Sequence, residues 1–159
     1  LGHRKIGCIT GPLDSTSARE RYNGYINALG MYGVMLNEDF VYNGDYSMES
    51  GFNGAKVLIE RGVSAIFACN DMMACGAYRQ AHLMGKTVGK DFSIIGYDDI
   101  PLCKILEQPL TTISQPISKV GRQACELLIE LISKPQNSKK NIILLPSLIV
   151  RSTTSKFVE

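Results

Sequence analysis

Four short polar clusters carry the residue types that can grip a hydroxyl-rich small molecule. The first is Asp14-Ser15-Thr16-Ser17, followed one helical turn later by Arg21; the others are Asp45-Tyr46, Asn70-Asp71 and Tyr97-Asp98-Asp99. A guanidinium donates paired hydrogen bonds, carboxylates accept them, an amide does both, and a tyrosine ring covers an apolar sugar face. Each cluster follows a run of β-forming residues. In an open parallel α/β sheet, ligands sit just beyond the carboxyl ends of the strands, so all four clusters are expected on one rim.

Every one of these residues also has a plainer use. Asp, Asn and Ser after a strand commonly cap the next helix, and Asp71 is read as a cap or turn residue. Tyr46 can simply be packing. Arg19 and Arg21 lie about 200° apart around a helix, so at most one can face the cleft and the other is read as a solvated surface charge. The signal is the coincidence of four polar strand ends.

Catalytic constellations are weaker. The two histidines are His3, near the start, and His82, within a helical pattern beside Ala81 and Leu83; neither pairs with a nucleophile and an orienting acid at a recognisable spacing. Cys69 precedes a helix start, which can activate a thiol, but it ends an apolar strand and reads as core. The Gly11-Pro12 turn is neither a dinucleotide fingerprint nor a P-loop, and no metal-ligand spacing occurs. The reading is of a binding module without a catalytic residue, a resident metal or a cofactor.

The elements that must position the clusters alternate between β-rich runs and helical patterns, which points to βα units around a mainly parallel, doubly wound sheet. Strands are expected at Lys5 to Thr10, Phe40 to Tyr42, Ala65 to Cys69, Phe92 to Tyr97 and Leu110 to Ile113. The first helix is expected to bury Ala18, Tyr22, Tyr25, Ile26 and Leu29, the second Phe52, Ala55, Leu58 and Ile59, the third Met73, Ala77 and Ala81. A fourth, strongly amphipathic helix runs from Ile117 to Ser133, with Pro116 where a first turn accepts it. A polar turn from Pro135 to Lys140 then leads to two expected strands, Ile142 to Leu145 and Leu148 to Arg151.

Composition agrees with one soluble domain: 159 residues, 45% hydrophobic, 20% charged and a net charge of +2. Nothing masses Lys and Arg on one face as nucleic-acid binding requires, Lys139-Lys140 being the longest basic cluster. The five cysteines, Cys8, Cys69, Cys75, Cys103 and Cys125, form no Cys-x-x-Cys pair, and they read as small core residues in a reducing cytoplasm. No apolar run has membrane-spanning length and no signal peptide is read. The opening Leu1-Gly2-His3-Arg4-Lys5 leads straight into a strand without an initiator Met, as in a piece of a longer protein.

Several stretches together resemble the lactose/galactose-repressor (LacI/GalR) family of bacterial transcription regulators. They are Gly11-Pro12-Leu13, Ser17-Ala18-Arg19-Glu20-Arg21, Gly24-Tyr25, Gly44-Asp45-Tyr46, Asn70 to Ala77, Ser93 to Asp99, Pro109 to Pro116 and Val150 to Thr154. The resemblance covers nearly the whole chain. It implies one subdomain of a core related to periplasmic sugar-binding proteins (type I), with a cleft for a small, sugar-like effector. Arg21, Asn70 and Asp98 would be the polar effector positions and Tyr46 the aromatic one, with Ser17 and Gln115 nearby. Met72, Cys75, Cys103 and Leu106 would belong to a dimer-forming surface.

The same resemblance implies a division of the chain. Residues 1–114 would form the C-terminal effector-binding subdomain, and 115–140 a helix and turn of the N-terminal subdomain. Residues 141–159 would supply closing strands and a tail. The family's helix-turn-helix DNA reader has no counterpart here, so DNA would be bound only through that missing part of a cytoplasmic homodimer, with no membrane partner. A periplasmic sugar-binding protein of a transport system is the alternative. The apolar face of Val120, Ala124, Leu127, Leu128 and Leu131 lacks its family partner, so it is expected to fold back on the core or to meet another chain.

Overall fold

A run of apolar, β-branched residues makes a strand only where neighbours complete its ladder, and six of the seven expected runs find each other. The computed structural model describes residues 1–134 and 140–157. In chain order these hold β1 (Ile6–Thr10), α1 (Thr16–Met31), β2 (Val41–Asn43), α2 (Met48–Glu60), β3 (Ala65–Ala68) and α3 (Asp71–Leu83). They continue with β4 (Ser93–Asp98), β5 (Thr111–Ser114), α4 (Ile117–Ser133) and β6 (Ser147–Ile149). One sheet takes the order β2-β1-β3-β4-β5-β6. Every pairing is parallel except the last, where β6 runs antiparallel to β5.

That order makes β1 and β3 the switch point. From β1 the chain winds outward to β2, then returns past β1 to β3 and continues the other way. Right-handed crossovers therefore put α1 on one face and α2 with α3 on the other. On the first face Tyr25 stacks on Phe67, centroids 6.5 Å apart, and its hydroxyl donates to the Ile6 carbonyl at 2.8 Å. On the second, Gly51 and Gly76 let two helix backbones touch: an added Cβ would lie 2.1 Å from the Met73 carbonyl oxygen and 2.0 Å from that of Met48. This contact sets the start of α3, and with it Asn70 and Asp71, at the sheet's carboxyl rim.

The expected inner faces hold. Ala18, Tyr25, Leu29, Ala55, Leu58, Ile59, Met73, Ala77 and Ala81 are buried, and Tyr22, Ile26 and Phe52 are half-buried. The C-terminal tail completes the core in a way no local pattern announces. Thr153 is fully buried; its hydroxyl donates to the Ile94 carbonyl and accepts from the Thr111 amide, both at 2.8 Å.

One expectation fails, and one of the two fates expected for α4 does not occur. Ile142 to Leu145 is not a strand: β6 already occupies the free edge of β5, and Pro146 interrupts the approach to it, lacking the N–H a ladder needs. Nor does α4 fold back on the core. None of its residues is buried, and Ile117, Val120, Leu128, Ile129 and Ile132 are all at least half exposed. The fourth helix packs substantially on neither face of the sheet. Most of the polar turn expected from Pro135 to Lys140 lies outside the described residues. Among the described residues no helix is long and apolar enough to cross a membrane.

Candidate functional site

The carboxyl ends of β1, β3, β4 and β5 converge on one side chain, Arg21. It stands in the second turn of α1 and reaches back over the strand ends. One terminal nitrogen donates to the Cys69 carbonyl, the other to Asp98 Oδ1 at 3.1 Å. Gln115, just past β5, donates to the same Asp98 oxygen at 2.7 Å. The guanidinium lies over the Tyr97 ring, 3.9 Å from its centroid, and 6.0 Å from that of Tyr46. A planar cation stacked on a ring and hydrogen-bonded to a carboxylate and a carbonyl is fixed in position.

Asp98 is the centre of the electrostatics. Burial raises its pKa above the ordinary carboxylate range, a push that the Arg21 charge and the Gln115 bond oppose without cancelling. Both hydrogen bonds fall on Oδ1, and among the described residues Oδ2 takes none. A ligand hydroxyl would find an acceptor there. Asp98 and Asp99 adopt φ angles of 119° and 60°, a rare pair for residues with side chains. The turn sends the two carboxylates to different partners: Asp98 to Arg21, and Asp99 to Arg151 at 2.5 Å. Desolvation opposes Asp99's ionisation, but the Arg151 and Ser114 bonds prevail and lower its pKa.

The aromatic and amide positions are built by local geometry. The Tyr46 ring lies against Gly11, whose absent side chain makes room: a Cβ would stand 2.2 Å from Tyr46 Cζ. Its hydroxyl meets Ser17 Oγ at 3.3 Å, and Ser17 in turn meets Ser15 Oγ at 3.0 Å. Asn70 is the N-cap of α3, accepting from the Met73 amide at 2.8 Å, while its amide nitrogen donates to the Tyr46 carbonyl at 2.9 Å. It therefore ties two rim segments together and keeps one amide hydrogen for a ligand.

Ser17, Arg21, Tyr46, Asn70, Asp98 and Gln115 are thus brought to one rim. Asp45 turns to local work instead. Bonds from Ser47 and Ser50 bring its exposed carboxyl down to about 2 at the start of α2. Asp71 is not the cap; it is the first residue of α3 and fully buried. Arg19, expected to be a solvated charge, donates at 2.9 Å to the carbonyls of both Leu13 and Asp14 and so closes the β1–α1 turn. Sequence reasoning missed Arg151, which lies 52 residues from its partner with no pattern linking them. Of the residues expected on a pairing surface, Met72 is exposed, while Leu106 is half-buried against the core. Cys75 and Cys103 are buried, being small thiols packed under that face rather than on it. Among the described residues no group of three or more His, Cys, Asp or Glu side chains converges as a metal ion would require.

Residues 1–154 match the family of periplasmic binding protein-like domains. The chain is 37% identical over 154 residues to the ribose operon repressor of Haemophilus influenzae, covering 96% of this chain and 46% of that protein. Its fold superposes on a transcriptional regulator CelR–cellobiose complex with a TM-score of 0.90 at 34% identity, covering 96% of this chain and 47% of that one. A lac repressor dimer bound to operator and the anti-inducer ONPF gives a TM-score of 0.88 at 36% identity, covering 97% and 54%. The chain therefore spans about half the length of the proteins it matches.

Proposed function

Because the chain belongs to the periplasmic-binding-protein-like domain family, in the form found in LacI-family regulators, we propose that it is the effector-sensing part of a bacterial DNA-binding transcriptional regulator. Its effector is a small sugar held on the rim. The observation that carries this reading is the Arg21–Asp98–Gln115 cluster between Tyr46 and Tyr97: paired donors, an unfilled carboxylate oxygen and flat ring faces on one rim.

The rim is one wall of a cleft. Residues 1–114 with the closing segment 141–159 act as one subdomain, and 115–140 belongs with a second subdomain that supplies the opposite wall. DNA is contacted elsewhere in the protein, and sugar binding shifts the arrangement of the two walls and so of the DNA readers. The working assembly is a cytoplasmic homodimer, paired through the surface of Met72 and Leu106 over Cys75 and Cys103. It performs no catalysis and needs no cofactor. The relatives that share this sequence and fold are repressors, which sets the transport alternative aside.

Titration calorimetry of the full-length protein against a panel of pentoses, hexoses and cellobiose, repeated with Asp98→Ala, tests the reading. One sugar should bind at a one-to-one ratio, and the variant should lose at least tenfold in affinity, the scale of a buried charge-assisted hydrogen bond. A variant that binds that sugar as tightly as the wild type would refute the site.

A further inference from the structure

Behind the rim lies a carboxylate that the binding reading does not use. Asp71 is fully buried, and no cation pairs with it among the described residues. Its Oδ2 accepts from the Ile100 amide at 2.9 Å and its Oδ1 from the Thr112 hydroxyl at 2.5 Å. Its hydrogen bond to the Cys103 thiol adds to the burial that holds that thiol's pKa well above its ordinary value. The carboxylate presses so closely on β4 that a Cβ at Gly96 would stand 2.2 Å from Oδ1. A buried carboxyl group held only by neutral donors and a helix start is costly, and a shorter polar residue would fill the same first turn.

What distinguishes Asp71 is where its donors lie. Ile100 follows the Asp98–Asp99 turn, whose two positive φ angles persist only if their surroundings over-determine them. Thr112 lies on β5, three residues before Gln115, the second donor to Asp98. Asp71 itself follows Asn70, which ties down Tyr46. One carboxylate therefore bonds to the segments that present Asp98 and Gln115 and adjoins the residue that holds Tyr46. We propose that Asp71 is a positioning residue: it pins the Asp98–Ile100 turn and the end of β5 so that Asp98 and Gln115 stay aimed at the ligand. This rests on reading the rim as a sugar site, but the pinning itself is testable without any sugar.

The experiment is residue-resolved amide hydrogen exchange on the 159-residue chain carrying Thr112→Val, Thr112→Ser, Asp71→Ala or Asp71→Asn. Thr112→Val keeps the shape and removes one bond, so it serves even where Asp71→Ala does not fold. Exchange at Asp98, Asp99 and Ile100 should quicken by about tenfold or more in Thr112→Val and in a folded Asp71→Ala, with amides of β1 and β3 unchanged, since local opening is set by local bonds. Thr112→Ser and Asp71→Asn should restore slow exchange, because each can still bridge the two segments. Unchanged exchange at the turn in Thr112→Val overturns the proposal, and so does a rise spread evenly over the sheet. No sugar enters the measurement, so a rim that binds none leaves this result standing.

Discussion

The exposed face of α4 makes a prediction whose size depends on what covers that face. Leu128 and Ile132 are 58% and 70% exposed. Truncating Leu to Ala removes three carbons, worth about 0.8 kcal/mol each when fully buried. With Leu128 little more than two-fifths shielded, Leu128→Ala should cost the 159-residue chain about 1 kcal/mol or less, and the better helix propensity of Ala offsets a few tenths. Ile132→Ala should be near neutral, since Ile gains still less from burial and is the poorer helix former. If, as proposed, a second subdomain covers this face in the full-length protein, each truncation should there cost roughly 2–5 kcal/mol, the range for core Leu and Ile. Urea unfolding of both lengths, followed by circular dichroism, reads the difference directly. Equal costs in the two lengths would refute the assignment of α4 to a second subdomain. A cost of several kcal/mol in the short chain would mean that the helix has a bed on this sheet after all.

Three further outcomes follow from the rim. Burial raises the Asp98 pKa in the folded chain, so stability present below its unfolded value, about 4, is lost as pH rises through the folded one. Asp98→Asn should therefore be more stable than wild type at pH 7 and not at pH 4, in urea unfolding at the two pH values, while binding its sugar more weakly. Tyr97→Phe should keep affinity, whereas Tyr97→Leu removes the ring face under Arg21 and should weaken sugar binding about 3- to 10-fold by calorimetry, the worth of a partly desolvated cation–π contact. Gly11→Ala puts a methyl on the Tyr46 ring and should cost about 1–3 kcal/mol, with the Tyr46 ring resonances shifted in the NMR spectrum; an unshifted ring would mean that it does not rest on that turn.

Much of this was legible because it is periodic. The inner faces of α1, α2 and α3 follow 3.6-residue spacing, and the four polar ends follow from parallel strands, each of which must end on the same side. The doubling of roles was not legible. Asn70 caps a helix and tethers Tyr46 with opposite ends of one amide, so a cap and a site residue are not alternatives there. Arg151 and Thr153 act across the sheet from far along the chain, and nothing in their neighbours marks them. The Asp98–Asp99 turn needs left-handed backbone at two residues that usually avoid it, which composition does not announce. The fate of α4 was beyond local pattern altogether, since amphipathicity specifies a partner face without saying which chain segment owns it.

The bonding state of Arg21 limits what this rim can do alone. Its two terminal nitrogens are already engaged, by the Cys69 carbonyl and by Asp98, before any ligand arrives. A sugar hydroxyl that takes one of these bonds exchanges a satisfied contact for another, and the net gain of such an exchange is about 1 kcal/mol or less. The unfilled positions are Asp98 Oδ2, one Asn70 amide hydrogen and the outer ring faces. These orient a sugar but supply few bonds to hold it. On the proposed two-wall reading, affinity comes largely from an opposing wall that closes over the bound ring and excludes water from the Arg21–Asp98 pair, where the same bonds grow stronger. A rim that is rigid and nearly satisfied when empty, and that gains most when a second wall arrives, links ligand occupancy to the relative placement of two walls. That linkage is what a sensor needs and what a simple sugar store does not.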